Sequence, residues 1–285
     1  MKIVIISGLS GAGKSTALKI LEDTGYYCVD NIPLSLIEQV IPIYQQNNFN
    51  KIAIGIDART SHLLEQLPKA LKMIQSQAYD IKMMYLEANT DCLVQRFSET
   101  RRKHPLSNED RTIEESINYE RELLSNLGHL SHRIDTSDLS ANSLRAIVKQ
   151  FVEASFNQMN IIVQSFGFKY GLPIDSDFVF DVRCLPNPHY NKEIKQFNGT
   201  QQPIIDFLAK ETKVLKMRDD IYNMVNGWFT EFSNDNRNYL TIAIGCTGGK
   251  HRSVFLAEQI AQLISENFDY NVIIRHRQML INDNA

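Results

Sequence analysis

Gly8-Leu9-Ser10-Gly11-Ala12-Gly13-Lys14-Ser15 satisfies every fixed position of the pattern G-x-x-x-x-G-K-[ST]. Its flanks decide what the match means. Lys2 to Ser7 before it is a short, apolar, β-branched run that reads as a buried strand. Thr16 to Asp23 after it has helical spacing. Gly8, Gly11 and Gly13 let the backbone curl with its N–H groups inward, which makes an anion-binding nest. The helix starting near Lys14 adds its positive end to the same point. Lys14 can reach the β- and γ-phosphates, and the Ser15 hydroxyl can ligate Mg²⁺. The eight residues Gly8, Leu9, Ser10, Gly11, Ala12, Gly13, Lys14 and Ser15 therefore predict a phosphate loop for a nucleotide.

Working outward, apolar runs and helical patterns alternate. Strands are expected near Gly25–Asp30, Lys51–Asp57, Lys82–Glu87 and Arg133–Ser137. Helices are expected through Leu36–Ile41, His62–Ser76, Thr90–His104, Ile113–Leu127 and Ser143–Ala154. That alternation predicts a parallel sheet with right-handed crossovers, a P-loop kinase-like domain over residues 1–154. A buried strand ending in an acid is where P-loop proteins orient Mg²⁺ or its water. Asp30 and Asp57 both stand at such ends, and the pattern favours Asp57. Arg96, Arg101 and Arg102 are candidates for a lid over the phosphates, or for cations at a helix C-terminus.

Residues 155–285 read as a second α/β domain. Strands are expected at Ile161–Phe168, Phe178–Arg183 and Tyr239–Gly245, with helices near Gln202–Leu208, Asp219–Phe232 and Val254–Leu263. Cys246-Thr247-Gly248-Gly249-Lys250-His251-Arg252-Ser253 lies between the last strand and the last helix, and forms a second, independent anion loop. Asp181, Arg183 and His189 fall just after a strand, where sites gather. The second loop also spells C-x-x-x-x-x-R-S, the pattern in which a nest and an Arg lower a Cys pKa for attack on phosphate, with Asp181 as a candidate acid. Three readings follow: a nucleotide-responsive regulator, a small-molecule kinase and a cysteine phosphatase.

Composition narrows the class. The 285 residues carry a formal net charge of −3, with cations and acids balanced in both halves, so no electrostatic argument for nucleic acid or anionic membrane arises. Four scattered cysteines, Cys28, Cys92, Cys184 and Cys246, form no disulfide framework or zinc spacing. No signal peptide or membrane span is read, so a cytoplasmic location is expected.

Several long stretches together resemble the RapZ-type RNase adapters, also described as YvcJ-type nucleotide-binding proteins. These are GLSGAGKSTALKILEDTGYYCVDNIP, the D-x-R of Asp57 to Arg59, FSETRRKHPLS, IDTSDLS, SFGFKYGLPIDSDFVFDVRCLPNPH and YLTIAIGCTGGKHRSVFLAEQIA. The resemblance runs from Met1 to about Arg277. It implies ATP at Gly8–Ser15 and GTP at Asp57, Ala58, Arg59 and Thr60, with hydrolysis slow at most, and Mg²⁺ at Ser15 and Asp57. It implies an amino-sugar phosphate, glucosamine 6-phosphate, at Asp181, Arg183, His189, Cys246, Thr247, Gly248, Gly249, His251 and Arg252. It also implies a homo-oligomer that binds a small RNA and an RNase and so modulates amino-sugar synthesis. The C-terminus departs from the lysine- and arginine-rich tail of RNA-binding members: between Arg275 and Ala285 only Arg275 and Arg277 are permanent cations, and Asp283 opposes them.

Overall fold

The structure is a computed structural model that describes residues 1–32, 34–56, 79–108, 110–154, 159–234 and 239–282. The chain divides into two compact units, Met1–Asn157 and Gln158–Ala285.

In the first unit the elements are β1 (Lys2–Gly8), α1 (Lys14–Asp23), β2 (Tyr27–Val29), α2 (Leu34–Gln46), β3 (Lys51–Gly55), β4 (Asp80–Glu87), α3 (Thr90–Thr100), α4 (Ile113–Leu130), β5 (His132–Asp135) and α5 (Ala141–Glu153). The strands form one sheet in the order β2-β3-β1-β4-β5. Every described pairing is parallel. Ile3, Val4, Ile5 and Ile6 on the central strand are completely buried, as expected of a strand covered on both faces. Each such side chain contributes about 1.5–3 kcal/mol relative to exposure. Lys82 on β4 is also buried, and its ammonium donates to the carbonyls of Phe151 (2.7 Å) and Ala154 (2.8 Å) at the end of α5.

One expected helix is shorter. The Thr90–His104 segment leaves the helix at Thr100, because Arg101 adopts a left-handed conformation with φ 53°. That reversal lets His104 turn inward and bury itself, which a continuing helix would not allow. No basic residue stands in the last turn: Arg96 lies within the helix, and Arg101, Arg102 and Lys103 lie past its end. The expected helix at His62–Ser76 lies outside the described residues.

The second unit contains β6 (Asn160–Gly167), β7 (Phe178–Asp181), α6 (Gln202–Leu208), α7 (Thr212–Asn226), α8 (Phe229–Asn234), β8 (Tyr239–Cys246), α9 (Arg252–Asn267), β9 (Asn271–His276) and α10 (Arg277–Asn282). Its sheet runs β7-β8-β6-β9, again parallel at each described pairing. Ile161, Val163, Leu240, Ile242 and Ile244 pack with Leu256, Ile260 and Ile264 of α9 in one core. The helix expected over Asp219–Phe232 is two helices, since the chain breaks at Gly227 and Trp228 between α7 and α8. β9 is absent from the strands expected above, although Val272, Ile273 and Ile274 are three consecutive β-branched residues with the strand signal.

Counted within each unit, the first four strands follow the same order, 2-3-1-4. The connection leaving the first strand runs past the third, and the next strand after the third lies beyond the first. Adjacent strands whose connections diverge leave a crevice at their carboxyl ends, and open α/β sheets bind ligands there. In the first unit that crevice separates β1 from β3; in the second it separates β6 from β8.

Candidate functional site

The phosphate loop leaves β1 at its crevice end. Gly8, Gly11 and Gly13 have φ of 141°, 85° and 103°, so all three use conformations that a Cβ disfavours. Four loop carbonyls are occupied by donors of the protein. Lys14 Nζ donates to Gly8 O (2.6 Å), Ala12 N to Leu9 O (3.0 Å), Arg96 Nη1 to Gly11 O (3.1 Å) and Thr136 Oγ1 to Ala12 O (3.0 Å). No side chain caps the N-terminus of α1, which leaves the first-turn amides directed at the crevice.

Two residues that the sequence reading did not single out, Glu120 and His104, fix this loop through Ser10. Ser10 donates its backbone N–H (2.8 Å) and its hydroxyl (2.7 Å) to the Glu120 carboxylate, and His104 Nε2 lies 3.1 Å from Glu120 Oε2. Glu120 and the His104 ring are fully buried. Burial pushes the Glu120 pKa up, but the His104 contact, the Lys14 charge and the two Ser10 donors outweigh it and hold the carboxyl below the usual range. The sequence did carry a signal. Glu120 occupies the buried stripe of α4 between Ile117 and Leu124, both completely buried, where an unpaired acid would be costly.

Of the three candidate lid arginines, Arg96 reaches the loop: besides Gly11 O, it donates to Thr136 O (2.6 Å) and Thr136 Oγ1 (3.1 Å). Arg101 and Arg102 are exposed. Asp30 follows β2 and lies close enough to Gly55, the last residue of β3, that a Cβ there would overlap its carboxylate. Asp57, Ala58, Arg59 and Thr60 lie outside the described residues. Ser15 is exposed at the start of α1, and the donor set fits Mg²⁺, which takes few protein ligands and completes its shell with nucleotide oxygens and water. Among the described residues no cluster of three His, Cys, Asp or Glu side chains could hold a metal by itself.

The second loop has the same construction. Thr247 O accepts from Lys169 N (3.2 Å) and Lys250 O from Gly199 N (2.9 Å), so two of its carbonyls are likewise taken up by donors of the protein. Gly249 has φ 67°, and no side chain caps α9. A Cβ on Gly167 would come within 2.7 Å of Gly248 C and 2.8 Å of Gly249 N, so glycine is required for the end of β6 to meet the loop. Beside the loop opens a cleft of about 520 Å³, lined by Cys246 through Arg252 together with His189, Lys195, Lys169, Tyr170 and Gln278.

Arg252 is buried and fixes the loop to the β7 end. Its Nη1 donates to Arg183 O (2.7 Å) and Leu185 O (2.9 Å), while its Nε has no partner. His251 is held by Lys195 O at 3.1 Å, and its ring lies 6.5 Å from that of His189. Burial lowers the His251 pKa, so the ring faces the cleft neutral at physiological pH. Arg183 lines an adjoining groove with Thr247 and Arg252, and stacks on Phe168 at 4.0 Å.

Asp181 is engaged rather than aimed at a ligand. Arg183 donates to both its oxygens at 2.7–3.0 Å, and those hydrogen bonds hold the carboxyl below the usual range. It has no proton to give at neutral pH, which removes the acid that the cysteine phosphatase reading needs. The Cys246 thiol is held below its ordinary pKa. Burial raises its pKa, but the Ser253 hydroxyl at 3.1 Å and the N–H groups of Ser253, Gly249 and His251 more than offset it. Iodoacetamide alkylation of Cys246, followed by peptide mass spectrometry across pH, should show a midpoint below the ordinary thiol range. Ser253→Ala should move that midpoint upward.

Comparison with known proteins places these features in a family. The family model described as RapZ-like N-terminal domain matches residues 1–155, and that described as RapZ C-terminal domain matches residues 159–280. A "Nucleotide-binding protein" of Dechloromonas aromatica is 48% identical over 98% of this chain and 99% of its own length. One of Chromobacterium violaceum is 47% identical over 98% and 99%. A shikimate kinase from Bacteroides thetaiotaomicron aligns with 53% of this chain and 98% of its own at 13% identity and a TM-score of 0.35. At that distance the strand order, not the alignment, carries the fold assignment.

Proposed function

The chain belongs to the RapZ family, and from that premise we propose that it is a regulatory protein with two phosphate inputs, a nucleotide at Gly8–Ser15 and a phosphosugar at Cys246–Arg252. The observation that supports this reading is the repeated construction. Each loop sits at the crevice of its own parallel sheet, has carbonyls taken up by donors of the protein and opens the N-terminus of an uncapped helix. The nucleotide is ATP or GTP with Mg²⁺ held through Ser15, and Asp57 to Thr60 form the GTP-linked segment. The phosphosugar is glucosamine 6-phosphate, with its phosphate on the loop amides and on Arg252 Nε. His189, His251 and Arg183 border the remainder of the ligand.

Hydrolysis at the first loop is slow at most, and the kinase reading is a matter of turnover. Titration calorimetry on the full chain tests the pair of sites. Lys14→Ala should weaken ATP binding by at least about tenfold, since it removes a charge-assisted contact, and should leave glucosamine 6-phosphate binding unchanged. Rapid transfer from labelled ATP to a metabolite, at ordinary enzymatic rates of roughly 1–10³ per second, would replace this reading with a kinase.

Binding of a small RNA and an RNase is implied by the family, and the cations near the C-terminus add little to it. Arg275, one of two permanent cations near the terminus, is only 6% exposed and cannot neutralise an RNA phosphate. Assembly as a homo-oligomer, implied by the family, is read by light scattering. No helix among the described residues is long and apolar enough to cross a membrane.

A further inference from the structure

Gln278 lines the second cleft, yet it is only 5% exposed, and neither its Oε1 nor its Nε2 has a hydrogen-bond partner. A buried polar group left without a partner costs about 1–3 kcal/mol, and native structures carry few of them. Here both ends of one amide are unsatisfied, and Arg252 Nε in the same cleft is a third such group. The amide is pressed against the anion loop. A Cβ on Gly249 would overlap Gln278 Oε1 and come within 2.9 Å of its Cδ. Its position is set by β9, which pairs with β6 through His276 and delivers α10 directly to the loop.

The chemistry of these vacant groups specifies what would satisfy them. Oε1 requires a donor and Nε2 an acceptor, side by side. A phosphate oxygen can serve only Nε2, and an ammonium only Oε1. A hydroxyl serves both. We propose that Gln278 is a specificity-determining residue of the second cleft, reading a hydroxyl of a polyhydroxylated phosphate monoester whose phosphate rests on the Cys246–Arg252 loop. This inference rests on the phosphate-ester reading of that loop and adds what distinguishes one ester from another. An amino sugar and its hydroxyl counterpart share the hydroxyls that such an amide can read, so both should depend on Gln278. A cleft of about 520 Å³ is ample for such a ligand.

The test compares glucosamine 6-phosphate, glucose 6-phosphate, hexyl phosphate and inorganic phosphate on the full chain by calorimetry. In the parent protein the two sugar phosphates should bind more tightly than hexyl phosphate. Gln278→Met, similar in volume, should weaken both sugar phosphates by about tenfold or more and leave hexyl phosphate and inorganic phosphate within about twofold. Gln278→Leu should do the same, and thermal unfolding of both variants checks that they are folded. A parallel loss for all four ligands, or no loss for any, overturns the inference and leaves the phosphate site standing. If the parent protein binds none of the four, the phosphate-ester reading itself fails, and this inference fails with it.

Discussion

Gly8→Ala should lower the stability of the protein by at least about 3–5 kcal/mol, the upper range for a point substitution. Two penalties combine. Gly8 has φ 141°, which an L side chain rarely adopts. The added Cβ would also overlap Leu86 O and lie 2.6 Å from Leu86 N and 2.8 Å from Leu86 C. These are backbone atoms of the neighbouring strand, so nothing flexible can move aside. The same Leu86 carbonyl accepts from Leu9 N at 2.9 Å, and the clash would break the hydrogen bond that starts the phosphate loop. Gly25→Ala is the control. Gly25 has a comparable positive φ of 86°, but nothing lies within 4 Å of its would-be Cβ. It should cost only about 1–2 kcal/mol, the conformational term alone. Urea unfolding followed by far-UV circular dichroism separates the two. Equal effects would mean that the approach of β4 to Gly8 is not what demands glycine.

Glu120→Ala is the second large effect, at about 3–5 kcal/mol, because it breaks a buried polar cluster from one side. The Ser10 N–H, the Ser10 hydroxyl and His104 would all lose the carboxylate that they share. Part of the cost falls on function, since Ser10 lies within the phosphate loop. The effect should depend on pH in a defined direction. The Glu120 pKa is held below its ordinary value, so its stabilisation is fully present above the unfolded-state pKa. It is lost as pH falls through the lower folded-state value. The gap between parent and variant should therefore be constant near neutrality and close in acid. A gap that widened in acid would contradict the assignment of Glu120 as an ionised partner.

What could be read in the linear chain, and what could not, divides along a physical line. The phosphate loop was legible because a tight glycine-rich turn between strand and helix is a local structure, decided by neighbours within a few residues. The buried strands were legible for a related reason: parallel strands covered on both faces are continuous apolar runs, as β1, β6 and β8 are. The helix after Thr90 was overextended because its end is set at a distance. His104 must meet Glu120, sixteen residues on, and Arg101 takes a left-handed conformation as the chain turns toward it. Asp181 looked like a candidate acid because strand ends collect functional groups, but its neighbour Arg183 occupies both its oxygens.

By itself the sequence determined two α/β units, each with an anion loop between a strand and a helix, since turn chemistry and hydrophobic period act locally. Only the tertiary structure decided which side chains attend those loops. Glu120 reaches Ser10 across 110 residues, and the Gln278 amide meets Gly249 because β9 joins the sheet beside β6. The loop at Gly8 to Ser15 thus stands as one of two similar cradles, and its neighbours come from pairings that no local pattern encodes.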